Sequence, residues 1–99
     1  MNYEIIIDEF AIQEAQDAYD FYENKQEGLG EKFKVELSNS IDSISENPKY
    51  NRRIKNNIRQ CLLNKFPFVV IFEIMEEKDI VIVYSIFHTS RNPKHKLDK

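Results

Sequence analysis

The sequence predicts an α+β fold in one domain covering residues 1–99: an N-terminal strand, an antiparallel helical hairpin, then a three-stranded antiparallel meander. Three observations predict it. Apolar residues recur at helical spacing from Ala11 to Ile44, and β-branched and aromatic residues crowd residues 64–87. A chain of 99 residues also has room for one hydrophobic core and no more. This order of elements packs the hairpin on one face of a single sheet.

The opening NYEIIID is short and β-rich, which predicts a strand from Tyr3 to Ile7. Asp8 is a candidate N-cap, and Glu9 suits the positive end of a helix dipole. Ala11, Ala15, Ala18, Tyr19 and Tyr22 follow at helical spacing, with Glu14, Asp17, Asp20 and Glu23 between them. They predict an amphipathic helix of about five turns. EGLGEKF ends it: Gly28 suits the left-handed C′ position and Gly30 a tight reversal. Phe33, Leu37, Ile41 and Ile44 predict the second helix, which Pro48 ends by biasing Asn47 away from helical backbone.

The second half changes period. IKNNIRQCLL (54–63) has a broken alternation and predicts a strand. NKFPFVVIFEI (64–74) is almost wholly apolar, as a central strand is, and Pro67 should open it because proline lacks the amide a ladder needs. MEEKD (75–79) is a polar turn, and IVIVYSIF (80–87) is the last strand. There are no internal repeats, linkers or low-complexity segments.

The formal net charge is −3, but it is segregated. Residues 1–47 carry 12 acids and 3 bases, residues 48–72 carry 6 bases and no acid, residues 73–87 carry 4 acids and 1 base, and residues 88–99 carry 4 bases and 1 acid. An acidic protein can therefore present a basic face to an acidic partner. Its candidate residues are Arg52, Arg53, Lys55, Arg59 and Lys65, with Arg91 and Lys94 after the last strand; Lys96, further along the tail, is expected to contribute little. An antiparallel meander would carry both segments to one side of the sheet. The plainer expectation pairs Arg59 and Arg91 with helix carboxylates such as Glu23 or Glu36, which leaves the basic face as solvated surface.

No apolar run approaches the ~18 residues that span a bilayer. The N-terminus carries acids where a signal peptide carries bases. Cys61 alone cannot form an intrachain disulfide, so the expected setting is a reducing, bacterial cytoplasm. Cys61, His88 and His95 match no common zinc spacing, and neither a metal nor a cofactor is expected.

Several short motifs then follow in order: GLG-x-x-F at the hairpin turn, NP after the second helix, IR and KFPF in the next strands, and H-x-x-R-x-P within FHTSRNPKHK (87–96). Together with the element order they resemble the RelE/ParE superfamily of type II toxin–antitoxin toxins over most of the chain. The resemblance implies that fold and a toxin nearer the ParE-like branch, which inhibits DNA gyrase by binding. It also implies a cognate antitoxin, covering the basic groove with an acidic or amphipathic segment in a heterotetramer or larger complex. The ribosome-dependent branch cleaves mRNA with the help of a strand arginine. Val69, or its neighbour Phe68, takes that place here, and an apolar side chain cannot stabilise an anionic transition state.

His88 remains a candidate base, with Arg91 near it, for the alternative of a ribosome-dependent mRNA interferase. The competing expectation is structural, with the His88 imidazole hydrogen-bonded to backbone or tail so as to fix the strand's exit. A non-toxic relative that still binds its antitoxin is a third alternative. FHTSRNPKHK is expected to be a docking tail, not a complete cleavage site.

Overall fold

Seven helices and strands follow one another within residues 2–90, which the computed structural model describes. They are β1 (Glu4–Ile7), α1 (Glu9–Lys25), α2 (Leu29–Glu46), β2 (Arg52–Lys55), β3 (Ile58–Leu62), β4 (Phe68–Met75) and β5 (Ile80–His88). Single 3-10 turns at Pro48–Tyr50 and Glu76–Lys78 lead into β2 and β5. The strands form one sheet in the order β1-β5-β4-β3-β2. β2 to β5 run antiparallel in sequence, while β1 lies parallel to β5 with Ile5 beside Val81.

The α+β class and the order strand, hairpin, antiparallel meander are as expected, but the meander has four strands instead of three. The extra turn lies inside the stretch read as one strand. Asn56 takes a left-handed φ of 52°, and the chain reverses between Lys55 and Ile58. Asparagine tolerates that backbone because its short polar side chain hydrogen-bonds locally. The broken alternation of residues 54–63 was this turn.

Asp8 caps α1, its carboxylate accepting from the Phe10 amide at 3.1 Å. Asn47 leaves helical backbone before Pro48, at φ −153° and ψ 73°. The two glycines divide their work differently from expectation. α1 already ends at Lys25, and Gly28, at φ 88°, starts α2. Gly30 is buried within the first turn of α2, where an added Cβ would stand 2.9 Å from the Tyr19 carbonyl oxygen. It therefore serves close helix approach, not chain reversal. Glu23 completes the joint by accepting from the Gly28 and Gly30 amides, each at 2.9 Å. A carboxylate there also suits the helix dipole.

Both helices cover one face of the sheet. Ala11 and Ala18 of α1 and Phe33, Leu37 and Ile44 of α2 are buried against Val70, Phe72 and Ile74 of β4 and Val81, Val83 and Ile86 of β5. On the other face Val69, Ile71 and Phe87 form a smaller buried cluster, packed by Ile54 and Ile58 of the curled β2–β3 hairpin. Tyr22, Phe33, Phe66 and Phe68 join helices to sheet through rings 4.9–6.1 Å apart.

Glu14 turns inward, against the expectation that it lies on the polar face. One of its carboxylate oxygens accepts from Ser85 Oγ and from the Ile86 amide, both at 2.8 Å. The reason is a register irregularity in β5 beside Ile71 and Phe72, past the last residue that β1 covers. There the strand needs an acceptor from outside the ladder, and Glu14 supplies it.

Two tyrosines are held by carboxylates. Tyr19 hydrogen-bonds Glu31 across the hairpin, and Tyr84 donates to Glu73 at 2.6 Å across the β4–β5 pair. Hydrogen bonding to these acids, burial and the repulsion of a phenolate by nearby carboxylates push both up to about 12. A folded pKa raised above the unfolded value means that the contribution to stability is complete below pH 10 and is lost as pH rises through about 12. Spectrophotometric titration should show two tyrosines ionising near pH 12, and Tyr84→Phe should remove one of them.

Candidate partner-binding surface

The β2–β3 hairpin gathers four of the candidate basic residues, Arg52, Arg53, Lys55 and Arg59, at one edge of the sheet. Arg52, Arg53 and Lys55 are exposed on β2, opposite Gln60, Arg59 and Ile58 of β3. Like charges directly across a ladder repel, and the Arg53–Arg59 pair is relieved because Arg59 turns to other partners. Its Nη1 donates to the Lys49 carbonyl at 3.2 Å and to the Asn51 carbonyl at 2.7 Å. Among the described residues its Nε is buried without a hydrogen-bond partner. Arg59 is thus a clamp on the Pro48–Tyr50 turn, paired with backbone and not with Glu23 or Glu36. Glu36 accepts from the Lys65 amide instead, at 2.6 Å.

The clamp belongs to a small polar network. Lys49 pairs with Glu76 at 2.5 Å, and Tyr3 donates to the same carboxylate at 3.4 Å. The hydrogen bond between them raises the Lys49 pKa and lowers that of Glu76. Both side chains are about half exposed, so the ion pair adds little stability and chiefly sets the position of the turn.

His88 lies elsewhere. It ends β5 opposite Phe68, and its ring meets the Phe68 ring edge-on, with centroids 5.4 Å apart. Its Nδ1 accepts from the Ser90 amide at 3.0 Å, while the Thr89 amide donates to the Pro67 carbonyl at 2.7 Å. The imidazole therefore fixes the exit of the strand, as the structural alternative expects. Phe68 and Val69, the two candidates for the strand-arginine place, are both buried, on opposite faces of the sheet. His88 and Arg59 are separated by β4 and by four residues along it. Strand spacing and rise put their backbones about 16 Å apart. Arg91, Lys94, His95 and Lys96 lie outside the described residues, so their placement beside His88 or Arg59 is not described.

The sequence alone missed a third feature. Lys32, Val35 and Glu36 of α2 form one wall of an open groove of about 1090 Å³, and Tyr50, Cys61, Leu62 and Lys65 line the other. Tyr50 is 86% exposed, Leu62 60% and Val35 58%. Large apolar side chains gathered at one groove mark an interaction surface. Val35 carried a signal, since it lies two positions from Phe33 and Leu37 and so off the buried stripe of α2. Tyr50 and Leu62 carried none, because their exposure depends on where the turn and the short β2 leave them. Burial pushes the Cys61 thiol up, which disfavours a reactive thiolate in the same groove.

A family model described as the ParE toxin of the type II toxin–antitoxin system parDE matches residues 5–93. No curated protein matches the chain. Among solved structures, the chain is similar to one of the chromosomal ParDE toxin–antitoxin system from P. aeruginosa, with a TM-score of 0.74, 12% identity, and coverage of 87% of this chain and 95% of that one. The intact E. coli RelBE toxin–antitoxin complex gives 0.69 at 21% identity, covering 90% and 99%. An E. coli RelE mutant in complex with an antitoxin RelBc peptide gives 0.69 at 19% identity, covering 100% and 96%. At such identities these structures establish the fold. The family model, which spans nearly the whole chain, establishes more: this protein belongs to the toxins of type II toxin–antitoxin systems, within the RelE/ParE superfamily.

Proposed function

We propose that this toxin arrests growth by binding its target, DNA gyrase, and not by cleaving RNA, and that a cognate antitoxin neutralises it. The observation that carries the first half is the state of His88. General-base catalysis needs an imidazole aimed at a substrate hydroxyl and a cation within reach of the developing phosphorane charge. Here one ring nitrogen already accepts from the Ser90 amide and the ring is packed against Phe68. Inhibition by binding needs none of these groups free.

The antitoxin half is supported by the relatives, which include solved toxin–antitoxin complexes. It is supported also by the exposed groove beside the acid-free stretch of residues 48–72. Among the described residues no helix is long and apolar enough to cross a membrane.

Expression of the chain alone should slow bacterial growth, and co-expression of the small protein encoded beside it should restore growth. Purified protein should lower supercoiling by gyrase and leave mRNA on translating ribosomes intact. Codon-dependent cleavage that disappears on His88→Ala would overturn the binding mechanism in favour of an mRNA interferase.

A further inference from the structure

The sheet face that lies away from the helices is closed over only one half. Ile54 and Ile58 of the β2–β3 hairpin pack on Val69, Ile71 and Phe87 there. Ile54 reaches β4 and β5 from an edge strand because the hairpin curls over the sheet. Over β1 and the first part of β5 nothing covers the face among the described residues. Side chains alternate along a strand, and Ile5 and Ile7 pack toward the helices, so Glu4 and Ile6 lie on this open half. Ile80 and Ile82 stand beside them in register, and Tyr84 follows. Ile6 is 43% exposed and Tyr84 38%, which leaves an apolar strip open to solvent. The face is therefore a step, low over β1 and β5 and raised over β2 and β3.

Charge follows the same division. β1, β4 and β5 carry no lysine or arginine, and Glu4 and Glu73 are their acids. β2 and β3 carry Arg52, Arg53, Lys55 and Arg59 and no acid. Arg52 stands opposite Gln60 and Gln60 opposite Ile71, which places Arg52 on the face in question. Asp8 lies close enough to Tyr84 to disfavour its phenolate, and so adds to the acidic half.

A step that is low and acidic at one edge, raised and basic at the other, is complementary to itself. A two-fold axis along the strands turns a second copy over and sets its raised half on the low half of the first. We propose that two copies of this chain pack face to face in this way. Ile6, Ile82 and Tyr84 are buried beneath the hairpin of the second copy, and Arg52 of each copy approaches Glu4 of the other. At ordinary strand spacing and rise the five-stranded face measures about 24 by 20 Å. Two copies then cover about 1,000 Å², the lower limit of a specific interface, so the dissociation constant should be about 10–100 μM. The arrangement depends on neither the gyrase reading nor the antitoxin reading.

Sedimentation equilibrium of the full-length toxin should show a monomer–dimer equilibrium in that range, weakened by added salt. Ile6→Lys should weaken the dimer about tenfold or more, since it sets a cation under a basic hairpin. Its melting temperature should stay within a few degrees of the parent. Arg52→Glu and Glu4→Arg, at exposed positions, should each weaken the dimer about tenfold. The double variant Glu4→Arg/Arg52→Glu should regain most of the parental constant, because each reversed charge again meets its opposite across the axis. A parent that stays monomeric throughout the range would overturn the proposal. If Ile6→Lys then also relieved growth arrest, the face would belong to the target instead. A dimer whose double variant is no tighter than the single ones would overturn the two-fold arrangement.

Discussion

Replacing Phe33 by alanine should cost about 3–5 kcal/mol, the range for removing a large aromatic side chain from a core that cannot close over it. Phe33 is 1% exposed, and its ring lies 5.0–5.6 Å from those of Tyr22, Phe66 and Phe68. It is the point where α1, α2, β4 and the loop before β4 meet, so no single element can move in to fill the void. Edge-to-face contacts of this kind add about 0.5–1.5 kcal/mol per pair beyond the area buried. A domain of this size is stable by only about 5–15 kcal/mol, so the loss is a large share of the whole. Thermal melts should fall by about 20 °C. Phe33→Leu, which keeps much of the apolar volume, should lose roughly half as much. A fall of only a few degrees for Phe33→Ala would mean that the helical hairpin does not depend on this aromatic junction.

Replacing Arg59 by alanine should cost about 2–4 kcal/mol and lower the melting temperature by about 10–20 °C. The mechanism is the loss of two charge-assisted hydrogen bonds that hold the Lys49 and Asn51 carbonyls on either side of Tyr50. Arg59→Lys should recover only part of the loss, since one ammonium cannot reproduce the planar guanidinium reaching both carbonyls. Two effects on the partner would then separate. Arg53→Ala, at an exposed residue across the ladder, should leave the melt almost unchanged. Arg59→Ala should weaken binding only as far as it loosens the Tyr50 turn. An Arg59→Ala protein with a parental melt and sharply weaker binding would show that this guanidinium contacts the partner directly and does not act as a clamp.

How much of this was legible in advance depends on the range of the interaction concerned. Asp8 as a cap, Pro48 as a helix stop and Pro67 before β4 are local matters, settled within three or four residues. Each stands where its chemistry suggests. Gly28 shows the limit of local logic. Its positive φ was legible, yet whether it closes α1 or opens α2 depended on where α1 stops. Gly30 depended on something more distant still, the carbonyl of Tyr19 on the other helix. Glu14 left a trace that hydropathy hides, for it lies three residues after Ala11 and four before Ala18, on the buried stripe. Only the open stretch of β5 explains why an acid belongs there. Arg59 is similar: its type and position suggested a surface cation, while its partners are carbonyls eight and ten residues away that a turn brings back to it.

The sequence by itself determined the class of fold, the helical hairpin, the apolar central strands, the segregated basic stretch and, through its ordered motifs, the toxin superfamily. All of these rest on periodicity, on composition or on short patterns, which are properties of neighbours along the chain. Only the tertiary structure decided that β1 pairs in parallel with β5, that the meander has four strands, and that Arg59 faces inward while Tyr50 and Leu62 face out. The physical reason is that strand pairing and exposure are settled by what a residue meets across space. β1 has a free hydrogen-bonding edge that any exposed strand could satisfy, and it finds β5 because the hairpin, folded over the sheet, returns the chain there. Leu62 has the same apolar side chain as Leu63, which is buried, and it differs only in standing on the face and edge that β2 is too short to cover.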